Sequence, residues 1–394
     1  MIPTTARLTA QRLFHSRWLT VVLLWLGWWL ILNVFQVVAF ARLVPRLPDT
    51  AYAWSADRTR EPEPSNNVLR LHTRWDSGFY VSIALYGYNG VSDAFFPLYP
   101  SLMRVTDTAL LAPIWPAVDP VDRMELAGFI VSSIASLAAA LGIFALIRML
   151  LGEDDARRGV FYFLIYPPAI FLIQVYTESL FLALVTWCLV MTLRRRWWIA
   201  GSLAGVAVLE RAAGITLLLP ILVTWLLDWH QGRRPRWITL GIMPLPIVVW
   251  RLYFVWLRAR GLSVVQGQAF FGRAFFPRNA LQMFMGELSF VTNNPQATVH
   301  ITLDVLFAVL AIATSLYALR RWPALGVFGL ATMGLPLLTF RVPGLPRYSL
   351  AAIPIYPTLA YFGRSMVFDR LWTIASVLVM GLYLLLFVHG LWVS

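Results

Sequence analysis

The 394-residue sequence contains no lysine and a single cysteine, and only 13% of its residues are charged. The cysteine, Cys188, lies inside an apolar block, which excludes a fold stapled by disulfides. Soluble domains carry about 25% charged and about 45–50% apolar residues. Here the apolar share is 59%, so an assembly of soluble domains is excluded, as is a disordered or collagen-like chain. His15, His72, His230, His300 and His389 are scattered and form no metal-ligand spacing. A Gly-rich phosphate loop and a Gly-x-Ser-x-Gly elbow are also missing.

What is present is apolar sequence in long blocks, many of the length needed to cross a hydrocarbon core about 30 Å thick. Segments near 18–43, 126–147, 159–173, 179–193, 197–209, 212–229, 237–257, 299–319, 323–340, 348–363 and 371–392 predict an all-α polytopic membrane protein. About eleven transmembrane helices are expected in one membrane domain, residues 1–394. The first segment follows Arg7, Arg12 and Arg17 and is too long for a signal-peptide core, so it reads as an uncleaved anchor. With the N-terminus cytoplasmic, the inner connections hold 16 arginines in 48 residues. The two long outer loops, 44–125 and 258–298, hold 11 in 123. That asymmetry obeys the positive-inside rule and accounts for the net charge of +13 without nucleic acid as a partner. Merging 197–229 into one kinked span would put Arg233, Arg234 and Arg236 outside and break the pattern.

This topology collects the unusual ionisable residues at the outer face. Asp76 and Asp93 fall in the first outer loop, and Glu178 in a tight outer hairpin. Glu210 and Arg211 fall in the next outer turn, and Arg341 and Arg347 in a short turn near the end. Ionisable groups at a membrane edge between helices point to function. The outer loops are aromatic, with Phe79–Tyr86, Leu98–Leu111, Phe270, Phe271, Phe275, Phe276 and Leu281–Phe290, and are expected to form a small cap. Asp76 follows Arg74 and Trp75 and admits two readings, a helix N-cap or a general base for a hydroxyl acceptor. Glu178 with Tyr176 reads as a turn cap or an acceptor contact. Arg211, Arg347 and Arg341 read as snorkelling side chains or as a phosphate clamp. The inner acidic run Glu153-Asp154-Asp155 reads as an N-cap. Asp76 and Asp93 have the chemistry to share a divalent metal, but no spacing requires one.

Trp75-Asp76, Gly87-Tyr88 and Ala94-Phe95-Phe96-Pro97-Leu98-Tyr99-Pro100 together resemble the PIG-V family of mannosyltransferases. Three further stretches fit that resemblance. They are Pro168–Phe171 with Tyr176-Thr177-Glu178-Ser179-Leu180-Phe181, Arg211-Ala212-Ala213-Gly214-Ile215, and Pro346-Arg347-Tyr348 with Pro354. Ser77-Gly78 stands where a bulkier polar residue is expected in eukaryotic members, and a bacterial member is expected. The resemblance implies a GT-C bundle, a polyprenyl-phosphate sugar donor, and Asp76 as the catalytic residue. Arg211 and Arg347 would then bind donor phosphate. Arg74, Trp75, Asp93, Tyr176, Glu178, Arg341 and Tyr348 are further candidates for substrate contact. The acceptor would be a lipid or glycan hydroxyl at the outer face of the cell membrane. A lipid-linked-sugar flippase and a non-catalytic envelope-assembly subunit are the alternatives.

Overall fold

The computed structural model describes residues 4–44, 66–233, 235–265, 292–338 and 344–393, with parts of 282–290. The Pro-rich run 45–65, Phe270, Phe271, Phe275, Phe276, half of Leu281–Phe290 and Arg341 lie outside the described residues. The described residues are helical throughout, with no strand among them. Among the described residues, six helical stretches are long and apolar enough to cross a membrane: Arg17–Arg42, Pro120–Leu151, Ala212–His230, Trp237–Arg258, Pro295–Arg321 and Met366–Val388. Glu178–Leu193, Trp197–Val208 and Pro323–Leu337 are apolar but shorter. The chain is an all-helical integral membrane protein.

Helix boundaries follow local chemistry. Asp119 caps Pro120–Leu151 by accepting from the Val121 amide, with Pro120 in the first turn, where its missing N–H costs nothing. Asn294 does the same for Pro295–Arg321. The expected span 159–173 is not one helix. It breaks at Ile165, because Pro167 and Pro168 disfavour the helical conformation at Tyr166 and the chain continues as the 3-10 turn Pro167–Leu172. The expected span 348–363 is likewise divided, into Leu345–Ser349 and Ile355–Phe362 around Pro354. The run Glu153-Asp154-Asp155 is not an N-cap, since Gly152 holds that position. It forms a first turn of acids that suits the helix dipole.

Pro120–Leu151 lies at the centre and packs against Glu153–Ile165 and Glu178–Leu193. Close approach depends on small residues: Ala139 and Ala140 are buried, and a side chain at Gly142 would collide with Thr186. Ion pairs fix the ends. Arg17 meets Glu153 at 2.8 Å, Asp155 binds Arg158 and Arg364, and Asp228 binds both Arg195 and Arg233. A cavity of about 140 Å³ at this end is lined by Leu150, Leu193, Arg195, Asp228, Gln231 and Trp322. The connections expected on the inner side therefore share one end of the bundle.

At the other end, Asp76–Tyr86 and Leu98–Thr106 pack on Pro120–Leu151 through Tyr80, Val81, Ala84, Tyr99 and Met103. The segment after Arg258 folds back onto this loop. Phe96 packs with Tyr253 and Leu257, and the Ser263 amide donates to Asp93 at 2.7 Å.

Candidate active site

Four distant parts of the chain bring charged side chains together at this second end. Asp76 is the first residue of Asp76–Tyr86, and Glu178 the first of Glu178–Leu193. Arg211 precedes the 3-10 turn Ala212–Leu217, and Arg347 lies in the short helix Leu345–Ser349. Arg347 joins the two acids. Its Nη1 donates to Asp76 Oδ2 at 2.8 Å, while its Nε and Nη2 reach Glu178 Oε1 at 2.9 and 2.8 Å. Arg211 Nη1 donates to the same Glu178 oxygen at 2.9 Å. Two arginines and two carboxylates thus form one neutral chain of contacts.

The surroundings hold this chain in place. The Arg347 guanidinium lies over the rings of Tyr176 and Phe171, 4.6 and 5.0 Å from their centroids. Arg211 lies over Tyr348 at 5.5 Å. Tyr166 bonds the Ser349 hydroxyl, which donates to the Pro346 carbonyl and so fixes the short helix that carries Arg347. Gly214 lets the Arg211 turn lie directly on the preceding helix, since a Cβ there would stand 2.5 Å from the Ala207 carbonyl carbon.

Asp76 is not an N-cap. Trp75 occupies that position with φ 57° and ψ −114°, a backbone conformation that costs a non-glycine residue about 1–3 kcal/mol. The Tyr176 hydroxyl holds it by donating to the Arg74 carbonyl at 2.7 Å, and Trp75 packs edge-on against Trp392. Strain immediately before a carboxylate, enforced by buried neighbours, is a mark of a working site.

Charge and burial are graded across the cluster. The Glu178 side chain is 1% exposed, Arg347 14% and Asp76 30%. Burial alone would push the Glu178 carboxyl up. Arg347 and then Arg211 outweigh it and hold the group below the usual carboxylate range. Burial likewise opposes the charge on Arg347, yet Glu178 and Asp76 keep it more firmly cationic than usual. Burial, followed by Asp76, raises the Tyr176 phenol, so it stays a neutral donor.

Other expected site residues lie elsewhere. Arg74 donates to the Val388 carbonyl at the end of Met366–Val388, a favourable place for a cation. Asp93 accepts from the Gly90 and Ser263 amides, so its role is to tie two loops together. The structure does not bring it to Asp76. Among the described residues, no three His, Cys, Asp or Glu side chains group to hold a metal ion. Tyr176 is a buried support under Arg347, not an exposed contact.

One residue that the sequence placed at the outer face was given no specific role there. Glu210, beside Arg211, is 1% exposed, and neither carboxyl oxygen bonds another side chain. Burial pushes its carboxyl well up. Arg211 opposes that shift and Glu178 adds to it. An acid immediately before the Arg-x-x-Gly segment was the available signal.

Residues 29–220 match the model of the family described as Mannosyltransferase (PIG-V), a little under half of the chain. The match takes in Asp76, Tyr176, Glu178 and Arg211 and stops before Arg347. The matched family is one of membrane mannosyltransferases of the GT-C class. Among solved structures, the chain is similar to ArnT from Cupriavidus metallidurans bound to undecaprenyl phosphate. Identity is 15%, over 90% of this chain and 63% of ArnT, with a TM-score of 0.50. It is also similar to the oligosaccharyltransferase AglB from Archaeoglobus fulgidus in complex with an inhibitory peptide and a dolichol-phosphate. There identity is 11%, over 91% of this chain and 56% of AglB, with a TM-score of 0.44. The chain spans less than two thirds of either neighbour. The likeness to ArnT shows a GT-C-like fold. No curated protein matches the chain.

Proposed function

We propose that this chain is an inverting glycosyltransferase that moves a sugar from a polyprenyl-phosphate donor to a hydroxyl acceptor at the outer face of the membrane. The family match supports mannose as the sugar. One observation carries the reading: a single guanidinium, Arg347, touches the half-buried carboxylate of the Trp75-Asp76 motif and shares Glu178 with Arg211. A carboxylate suited to act as a base and two cations suited to phosphate therefore meet in one place, which supports the reading. ArnT with undecaprenyl phosphate shows a protein of similar fold holding a lipid phosphate.

In this mechanism the acceptor oxygen attacks the anomeric carbon while an Asp76 carboxylate oxygen takes its proton. The bond from the anomeric carbon to the phosphate oxygen breaks, and its electron pair leaves with the polyprenyl phosphate. Arg347 and Arg211 neutralise the charge that grows there, an electrostatic contribution that needs positioned donors and no further chemistry. Glu178 positions both arginines. Eleven crossings, a cap from the two outer loops and an N-terminus inside complete the reading. The gathering of the arginine-rich connections at the end opposite Asp76 supports it.

The test is transfer by the purified chain from radiolabelled polyprenyl-phosphate mannose to a panel of lipid and glycan acceptors. Labelled acceptor is the expected result. Donor that crosses a vesicle with no acceptor labelled would assign a flippase instead.

A further inference from the structure

The Asp76–Arg347 contact presents a conflict for a catalytic site. The carboxylate that must meet the acceptor proton has one oxygen bonded to the cation that must meet the donor phosphate. The two ends of Arg347 differ in character. At Glu178 it is held by two nitrogens on a carboxylate that is 1% exposed and also bound by Arg211. The rings of Phe171 and Tyr176 lie against the guanidinium. At Asp76 it is held by one nitrogen, to a carboxylate that is 30% exposed. The accessible end is the Asp76 end, so an incoming phosphate meets Arg347 beside Asp76. Phosphate and carboxylate are both anions, and they compete for the same Nη1 donor.

We infer that Arg347 is handed from Asp76 to the donor phosphate, so that donor binding itself uncovers Asp76 for the acceptor. The inference rests on the proposed donor and deepens it by fixing an order, donor before acceptor. Glu178 is the positioning residue of the exchange. It retains Arg347 through Nε and Nη2 while Nη1 changes partner, so the guanidinium turns little. Before the exchange, Asp76 Oδ2 is taken up by a cation. After it, that oxygen faces the acceptor hydroxyl, whose proton it accepts as the new glycosidic bond forms. Departure of the polyprenyl phosphate returns Arg347 to Asp76 and resets the site.

The exchange predicts an inverse effect. If binding must displace Asp76, removing its charge strengthens phosphate binding while abolishing turnover. Simple repulsion between Asp76 and phosphate would do the same, and a double-mutant cycle separates the two. Undecaprenyl phosphate binding is measured on the full-length chain in detergent, for wild type, Asp76→Asn, Arg347→Gln and the double variant. Arg347→Met, which removes the charge and keeps a long side chain, stands in should the glutamine variant not fold. Wild type is expected to bind, and Asp76→Asn to bind about 2- to 5-fold tighter, the upper part of the range for losing a partly exposed competing ion pair. In the Arg347 background the Asp76→Asn gain is expected to vanish. An equal gain in both backgrounds would reduce the effect to repulsion and overturn the exchange. So would no gain in the wild-type background, while weaker binding by Arg347→Gln would leave the donor site standing. A folded wild type that does not bind undecaprenyl phosphate would overturn the donor reading itself, and the exchange with it.

Discussion

At the scale of single residues, Asp76 was legible in the sequence because an aromatic-acidic pair at the start of an outer-loop helix has few ordinary uses. The structure removes the main rival, since Trp75 and not Asp76 sits at the N-cap. Asp76→Asn is therefore expected to leave the melting temperature of the detergent-solubilised protein nearly unchanged. The lost pair is 30% exposed on the Asp76 side, and such pairs contribute about 0–1 kcal/mol. Turnover should fall by at least about 100-fold, the lower bound for losing a general base. Transfer at near wild-type rate by a folded variant would remove Asp76 from the chemistry. Glu178 was less legible. A turn cap explained it better than an acceptor contact, because nothing local says that residues 211 and 347 converge on it. Glu210 is a different case, a carboxyl buried without a side-chain hydrogen-bond partner. Its folded-state pKa is raised, so the folded protein keeps a proton that the unfolded chain releases above about pH 4.3. Stability should therefore fall as pH rises from there until the folded carboxyl ionises. Glu210→Gln removes that dependence. Thermal unfolding is expected to show the variant more stable than wild type at pH 8, with a smaller difference at pH 5. Parallel pH profiles would mean that burial does not hold this proton.

At the scale of elements, hydropathy located the helices but not their breaks. The expected spans 159–173 and 348–363 are both interrupted, and in each the sequence carries the cause, Pro167-Pro168 and Pro354. Those prolines fall in apolar runs, where a count of hydrophobic residues passes over them. Both breaks serve the site. The first turns the chain so that Phe171 and Tyr176 lie under Arg347, and the second separates the short Arg347 helix from the one that follows. The Arg-x-x-Gly segment has a similar logic. Gly214 is required because its turn rests on the backbone of Ala207 and Val208, with no flexible side chain between to yield. Gly214→Ala is expected to push the turn outward, cost about 1–3 kcal/mol of stability as overpacking does, and loosen Arg211 from Glu178. Both the melting temperature and undecaprenyl phosphate affinity should drop. Gly241→Ala is the control, since a Cβ there meets nothing within 4 Å. Equal behaviour of the two variants would show that the backbone contact at Gly214 has no energetic weight.

At the scale of the whole molecule, the arginine asymmetry and the structure agree on one point, the return of the chain between residues 197 and 229. Arginine counting required the apolar stretch 197–229 to be two passes and not one kinked span. In the structure, Arg195 at the start of this stretch binds Asp228 near its end, Nε to Oδ2, at 2.9 Å. A single through-going span would leave these residues on opposite faces. The chain runs away from this end along Trp197–Val208, turns at Leu209–Arg211, and comes back along Leu218–His230. That parity was legible because arginine is costly to move across a membrane, whereas the convergence of the site was not, because it depends on packing between distant segments. The return at 209–211 fixes the sidedness of everything downstream. With five passes between residues 117 and 231, those two positions must lie on opposite faces, and with four they would share one. Cys188, the only native cysteine, is fully buried, so introduced cysteines can be read without background. Ala117, Gln231 and Ser365 are exposed. A membrane-impermeant maleimide applied to intact cells is expected to label Ala117→Cys at once. Gln231→Cys and Ser365→Cys should label only after the membrane is opened. Labelling of Ala117→Cys and Gln231→Cys from the same side would require an even number of passes and would sink the eleven-crossing topology. Labelling of Gln231→Cys and Ser365→Cys alone from outside would keep the parity but turn the protein over, and place Asp76 in the cytoplasm.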